Sequence, residues 1–342
     1  MSKSMSYIAA GAVLASAATS LPSAGIAQEF KSRTLTIVVG FPPGGGYDAN
    51  ARFLARHWGK HLPGNPSVVI QNQPGAGSLN AANMIYNIGA KDGSQVALFS
   101  SSAAVEPLLK NKKAMFDLAK MVWVGNMNRD TASCAAWETT GVKTWADIAK
   151  RPTKFGASGP AAVTAQHPLF LKNVLGAPFH VIMGYGGTGP VKLAMQRGEV
   201  EASCGIYIST AKGAMRSEFD SGKMKSFIQF GKKNHPFYKD ATNIYTLIKT
   251  PEDKALTAFI FDQTELTRPV AAPPGLPPKV LATLRESFMA TMKDPEYIAD
   301  LAKVGLDSDP MTGKETAEVF AQLAQTPAAI LERAAKVIAP AR

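Results

Sequence analysis

The sequence predicts an α/β protein of two domains with a ligand cleft between them. Three observations carry this. A short apolar, β-branched run, a turn of glycine or small hydroxylic residues, and a helical pattern recur three times in succession before residue 110. The same unit restarts near residue 132 and repeats to about residue 230. The length, 342 residues with an N-terminal leader set aside, suits two domains of ordinary size.

The first unit organises the rest. Leu35, Ile37, Val38 and Val39 form a run suited to a strand covered on both faces. Pro42 and Pro43 forbid helix at once and stiffen the exit. Gly44, Gly45 and Gly46 leave main chain open to close approach by another molecule. Asp48 stands where a helix N-cap is expected, ahead of Phe53, Leu54, Trp58 and Leu62 at helical spacing. A helix N-terminus behind a glycine turn offers free N–H groups and the positive end of a dipole, so this stretch reads as an anion seat, for a carboxylate first of all.

The second unit has a strand over 67–71, the turn Asn72-Gln73-Pro74-Gly75-Ala76-Gly77-Ser78, and a helix carrying Ala82, Ile85 and Tyr86. The third has a turn at Lys91-Asp92-Gly93, a strand over 96–99, and Ser100-Ser101-Ser102 before Val105 and Leu108. In a parallel sheet these strand ends lie together and ligands bind outside them, so the two glycine turns and the serine run are expected to converge. After 121–127, strands are expected over 132–137, 154–158, 179–183, 199–205 and 225–230. Helices are expected over 144–150, capped by Thr144, and over about 164–175 and 191–197. Residues 266–271 run extended into Ala272-Pro273-Pro274-Gly275, and amphipathic helices follow, the first with Val280, Leu281, Leu284, Phe288 and Met292 on one face.

The N-terminus reads as a secretory signal: Lys3, a short apolar run over 7–18, and small residues at Gly25 and Ala27 before a cut near Ala27. That run is shorter than the ~20 apolar residues that span a bilayer. A soluble, exported, periplasmic protein is expected. The formal net charge of +11 is spread along the chain, densest at Lys110, Lys112 and Lys113. No basic stretch interleaved with aromatics suggests nucleic-acid binding. Cys134 and Cys204 have no metal-ligand spacing, and buried thiols and a disulfide both remain open.

With these motifs in place, the chain resembles the solute receptors of tripartite tricarboxylate transporters, the Bug-type periplasmic binding proteins. The resemblance rests on Phe41-Pro42-Pro43-Gly44-Gly45 followed by Asp48 and Arg52, on Asn72 to Gly77, and on Asp92-Gly93. It rests further on Tyr185-Gly186-Gly187-Thr188-Gly189-Pro190 and on Ala272 to Pro277. In order and at this spacing they cover nearly the whole mature chain. The resemblance implies a type II periplasmic binding protein fold, with residues 28–126 and 265–342 as a discontinuous first domain and 127–264 as the second. It implies that the first two turns hold a carboxylate through main-chain N–H groups and bridging waters. In such a fold the strand of Cys134 lies beside that of Cys204, and a cross-strand disulfide follows as a hypothesis.

The ligand-binding residues expected on these grounds are Gly44, Gly45, Gly46, Tyr47, Asp48, Ala76, Gly77, Ser78, Ser101, Ser158, Thr164, Tyr185, Gly187, Thr188 and Tyr207. Asp48 has two roles open, helix cap and cleft-facing acceptor. Ser101, Ser158, Thr164 and Thr188 are hydroxyls at strand-to-helix junctions, and Tyr185 and Tyr207 follow strands expected to end at the cleft. His167 reads as a packing residue. Arg52, one turn into its helix, suits solvent or a domain interface better than a ligand. Tyr47, Ser78, Met183-Gly184-Tyr185 and Ile206-Tyr207 depart from the family's usual residues, and all fall at the cleft.

No Gly-x-Ser-x-Gly, His-Glu-x-x-His or Walker lysine is present, and Asp48 and His167 come with no nucleophile. No catalytic residue, metal or cofactor is expected. The expected function is capture of a small organic carboxylate (a di- or tricarboxylate or an aromatic acid) by a monomeric receptor that serves membrane transporter subunits. A sensing receptor that presents its solute to a membrane kinase is the alternative, and an enzyme on the same fold comes third.

Overall fold

A computed structural model describes residues 33–340. Two six-stranded mixed sheets form the cores of two lobes, with strand orders β12-β4-β11-β3-β1-β2 and β10-β9-β5-β8-β6-β7. In the first sheet, β1 (Leu35–Val39), β2 (Val68–Asn72) and β3 (Gln95–Leu98) are parallel, in the order expected of successive β-α units. β11 (Pro269–Ala272) lies antiparallel between β3 and β4 (Val122–Asn126), with the two-residue β12 (Met311–Thr312) at the edge. In the second sheet, β6 (Thr153–Gly156), β7 (Phe179–Ile182) and β8 (Ala202–Tyr207) are parallel. β5 (Ala132–Trp137) runs antiparallel between β8 and β9 (Met224–Gln229), and β10 (Thr242–Asn243) completes the edge. In each sheet the inserted antiparallel strand, β5 or β11, is the one that enters directly from the other lobe.

The apolar run of the first unit is buried as expected: Leu35, Ile37, Val38 and Val39 all lie within the core. β2 differs, because it is an edge strand with alternate exposed residues. The helix Gly46–Trp58 packs its Ala51, Leu54 and Trp58 inward, and the Trp58 indole N–H donates to Ser287 Oγ at 2.9 Å. Element bounds differ from the sequence reading by a few residues, most at the strand expected over 199–205, which forms three residues later as β8. The helix after Thr144 is a single turn, Trp145–Ile148, held by a reciprocal capping box between Thr144 and Asp147.

The two segments that cross between lobes lie side by side. Arg268 N donates to Asn126 Oδ1 at 2.9 Å, Met127 N donates to the Arg268 carbonyl at 3.1 Å, and Thr267 N donates to the Asn128 carbonyl at 3.3 Å. A third crossing follows the helix Gly313–Ala324, which packs on β4. The last helix, Ala328–Val337, packs on Val163–Leu175 and Pro251–Asp262, where Arg333 pairs with Asp253 and Asn173 Nδ2 donates to the Val337 carbonyl. This helix, which falls within the expected first domain, thus packs on helices from the expected second, and its Ile330 and Ala334 are buried.

Cys134 and Cys204 form a disulfide between the adjacent strands β5 and β8. The expected signal segment lies outside the described residues. Among the described residues no helix is long and apolar enough to cross a membrane.

Candidate functional site

The carboxyl ends of both parallel strand sets face a seam between the lobes. One small chamber in that seam, about 20 Å³, is lined by Phe41, Pro42, Gly45, Gly46 and Tyr47 from the first lobe. The second lobe supplies Ala162 to Thr164, Gly187 to Pro190, Gly205, Tyr207 and Thr210, and the crossing segment supplies Arg268. That volume admits about one water, so a solute enters only when the lobes part.

Three helices of nine residues or more begin at this chamber: Gly46–Trp58, Val163–Leu175 and Thr188–Gln196. Their N-cap residues are Gly45, Ala162 and Gly187, none of which caps through a side chain. Their first N–H groups and dipole ends are thus turned to one place without a built-in acceptor.

Arg268 stands among them, 1% exposed. Its guanidinium lies 4.2 Å from the Tyr47 ring centre and 5.0 Å from that of Tyr207. It donates to the Thr267 carbonyl at 2.9 Å, to Ser209 Oγ at 3.2 Å and to Thr210 Oγ1 at 3.4 Å. Its Nε has no partner, and neither do the buried hydroxyls of Tyr47, Tyr207 and Ser101. Burial raises both tyrosine pKa values, against the opposing pull of Arg268, so both phenols stay protonated and act as donors. Among the described residues Arg268 is the only ionisable cation on the chamber wall and no acid lines it; the nearest acid in its network is Asp130, behind Ser209. Sequence reasoning missed Arg268. Its signal was a lone charge in the otherwise uncharged run 266–278.

Asp48 is not the N-cap: the helix begins at Gly46, two residues earlier, because Gly45 is already extended (φ −91°, ψ 174°). Its carboxylate turns back into its own turn, accepting from Gly44 N at 3.0 Å, from Arg52 Nε at 2.8 Å and NH2 at 3.0 Å, and from Asn72 Nδ2 at 3.0 Å. Burial pushes its pKa up, but these donors outweigh burial and hold it below the ordinary carboxylate value. Asp48 thus braces the first turn, with Arg52 as its ion-pair partner, and its oxygens are committed. Gly44 is exposed at the rim.

The second turn approaches the first, as expected, and is then closed off. Gly75, Ala76, Gly77 and Ser78 all have positive φ (134°, 49°, 70° and 75°), a strained run at the two non-glycines. Ser78 Oγ accepts from Ser100 N at 2.9 Å, Ser100 Oγ bonds Ser102 Oγ at 2.6 Å, and Ser102 Oγ donates across the seam to the Ala161 carbonyl at 2.7 Å. A Cβ on Gly159 would lie 2.3 Å from Gly77 N, which shows how tightly the second lobe seals this turn. Ala76, Gly77 and Ser78 therefore sit at the lobe interface but not on the chamber wall, and Ser101 is buried off the chamber wall with its hydroxyl unpartnered.

Thr164 lines the chamber, and its Oγ1 accepts from Ser158 N at 3.0 Å, which commits Ser158 to bracing the loop behind it. Gly187 and Thr188 face Pro42 and Gly45 across the seam. Tyr185 corrects the expectation: it packs on the outer cluster of the second lobe, 3.5 Å from Glu199 Oε2, because its strand ends one residue early and Gly184, at φ 109°, turns the chain away. His167 is a packing residue, wedged between Phe230 and Phe261 with ring centres 4.6 and 4.8 Å away. His57, Asp294 and Glu296 come close enough to suggest a metal, but the Lys60 ammonium already bridges the two carboxylates at 2.6 and 2.5 Å.

Residues 51–335 match the family model described as the tripartite tricarboxylate transporter family receptor. The chain belongs to this receptor family. It is 25% identical to a Cupriavidus necator protein described as "UPF0065 protein in gbd 5'region", over 95% of this chain and 94% of that one. It is similar in structure to the periplasmic binding protein BugD, with a TM-score of 0.73 at 19% identity, over 88% of this chain and 97% of that one. A Rhodopseudomonas palustris protein solved with adipate has a TM-score of 0.69 at 19% identity, covering 90% and 97%. MatC from the same organism, solved with bound malate, has a TM-score of 0.67 at 20% identity, covering 90% and 99%. The receptor family thus shares its two-lobed α/β fold with this chain.

Proposed function

We propose that this receptor is exported to the periplasm, captures a small organic carboxylate between its lobes and delivers it to the membrane subunits of a tripartite transporter. The observation that carries this reading is the meeting of three uncapped helix N-termini with the Arg268 guanidinium in a chamber whose wall, among the described residues, holds no acid. Each helix end favours a nearby anion by about 0.3–1 kcal/mol at an exposed site and more when sheltered. The guanidinium has no carboxylate in direct contact: the Asp130 carboxylate, which accepts from Ser209 N at 2.9 Å, offsets its charge from behind Ser209, and the faces of Tyr47 and Tyr207 relieve the burial cost further. An anion bound in the seam supplies a direct partner, so ligand and closure favour each other. The carboxylates named with two of the compared structures agree with an anionic solute.

The sites expected from the sequence then divide by role. Gly45, Gly46, Tyr47, Thr164, Gly187, Thr188 and Tyr207 are proposed to contact the ligand. Gly44, Asp48, Ala76, Gly77, Ser78 and Ser158 hold the turns and the lobe contact, and Ser101 keeps a buried, unpartnered hydroxyl beside them. A thermal-shift screen over mono-, di- and tricarboxylates, amino acids and neutral and cationic solutes tests the reading. Stabilisation by at least one carboxylate, and by none of the cations, is expected. Stabilisation by neutral or cationic solutes alone would overturn it.

A further inference from the structure

Charge, donors and shape in the seam restrict the ligand further than "carboxylate". We propose that Arg268, with Tyr47 and Tyr207, fixes a single carboxylate group, and that the cleft selects organic monocarboxylates with an apolar tail over diacids. This rests on the receptor reading given above.

The first support is geometric. Arg268 and the N-terminus of the helix Gly46–Trp58 meet at one point: a Cβ on Gly46 would lie 3.0 Å from Arg268 NH2 and 2.3 Å from Thr210 Oγ1. Only glycine leaves space there. The Tyr47 and Tyr207 rings stack on the same guanidinium, and its Nε and both phenol hydroxyls are buried without partners. A carboxylate has two oxygens with about four lone-pair sites, and three side-chain donors plus helix N–H groups satisfy one such group.

The second support is the lack of a second seat. The turn Gly75–Ser78, which the sequence offers as the other half of a two-point site, is sealed by Gly159 to Ala162 in the closed form, and Ser78, Ser100 and Ser102 are spent on one another and on the Ala161 carbonyl, which leaves the Ser101 hydroxyl as the one unpartnered donor of the serine run. Away from Arg268 the wall is Phe41, Pro42, Val163 and Pro190, with the Thr164 and Thr188 hydroxyls between. Among the described residues of that wall, a second ionised carboxylate meets no cation, only the partial charges of two helix ends.

The test is isothermal titration calorimetry on the mature chain with matched pairs that differ by one carboxylate: hexanoate against adipate, and benzoate against terephthalate. Any acid found in the thermal-shift screen is paired in the same way. Wild type is expected to bind the monoacid of a pair at least about tenfold more tightly. Arg268→Gln is expected to lose about 100-fold or more in monoacid affinity and to abolish the preference, since removing one member of a buried charge pair strands the other. Arg268→Lys keeps the charge but loses the fork and falls between. Tyr47→Phe and Tyr207→Phe remove one hydroxyl each without disturbing the rings, and each is expected to weaken binding about 3- to 10-fold. They keep the test informative if Arg268→Gln fails to fold. Equal or tighter binding of the diacids, or monoacid binding unchanged in a folded Arg268→Gln or in both phenylalanine variants, would overturn this inference while leaving the receptor reading intact. Failure of wild type to bind any carboxylate would overturn both.

Discussion

Gly159→Ala places one methyl group between the lobes and nowhere else. The new Cβ would lie 2.3 Å from Gly77 N, 2.6 Å from the Ala76 carbonyl carbon and 3.0 Å from Ala76 Cα. Ordinary contact begins at 3.4 Å, so the worst contact is short by about 1.1 Å. All three atoms are main chain in a turn with four consecutive positive φ values, so none can swing aside as a side-chain tip does. Gly159 itself does not have positive φ, so alanine there strains nothing within its own lobe. The relief is for the lobes to stand apart. Overpacking of this kind costs about 1–3 kcal/mol, charged here to the closed form alone. At 1.4 kcal/mol per decade, ligand affinity should fall about 5- to 150-fold, with ligand-free Tm within about 2 °C of wild type. Calorimetry with the tightest carboxylate, beside small-angle scattering with and without it, reads both the affinity and the closure. Affinity within twofold of wild type for Gly159→Ala would refute the argument that closing this seam is what binds the solute. Substitution at Gly77 is less clean, because φ +70° adds backbone strain to the same clash.

Other outcomes follow from the lobes themselves. Cys204→Ala should lower stability by about 2–4 kcal/mol, since the bond to Cys134 closes a 70-residue separation within the second sheet; a reductant should lower the Tm of wild type and leave the variant unchanged. Burial pushes the His167 pKa down to about 3. The unfolded chain takes up a proton near pH 6.5 that the folded chain refuses, so this histidine's contribution is fully present above pH 6.5 and is lost as pH falls toward 3. Urea unfolding of wild type and His167→Phe should show their stability difference shifting by about 1.6 kcal/mol between pH 6.5 and 5, against the wild type at lower pH; parallel pH profiles would contradict it. Asp48→Ala leaves Gly44 N and Asn72 Nδ2 without their acceptor and should cost about 1–3 kcal/mol in chemical unfolding, more than Arg52→Ala, whose side chain is half exposed.

The repeating strand–turn–helix units made the fold legible in the sequence, because apolar period and glycine punctuation are local properties. The crossing strands β5 and β11 were legible as extended segments, but their insertion into the opposite sheet depends on pairing with distant strands. The chamber was legible in part. Gly45, Gly46, Tyr47, Thr164, Gly187, Thr188 and Tyr207 all line it. Tyr185 was read into it from position alone, and the φ of 109° at Gly184 that turns the chain away leaves little trace in sequence. Asp48 was visible as a functional type, but only the positions of Arg52, Asn72 and Gly44 N show that its oxygens are spent. Arg268 is far in sequence from the glycine turns that line the chamber, and it reaches the seam because its segment hydrogen-bonds along Asn126 to Asn128. The second turn carried the right motif and lost its opening to Gly159, a contact across 82 residues that no local pattern encodes.

An experimental structure of the mature protein with its tightest-binding carboxylate tests the central claim most directly. The ligand's carboxylate should lie in the seam at the start of the helix Gly46–Trp58, bonded to Arg268 and within reach of the Tyr47 and Tyr207 hydroxyls. A carboxylate bound elsewhere, such as the larger groove of about 670 Å³ behind the crossing segments, lined by Asn128, Asp130, His235 and Asp309, would contradict it.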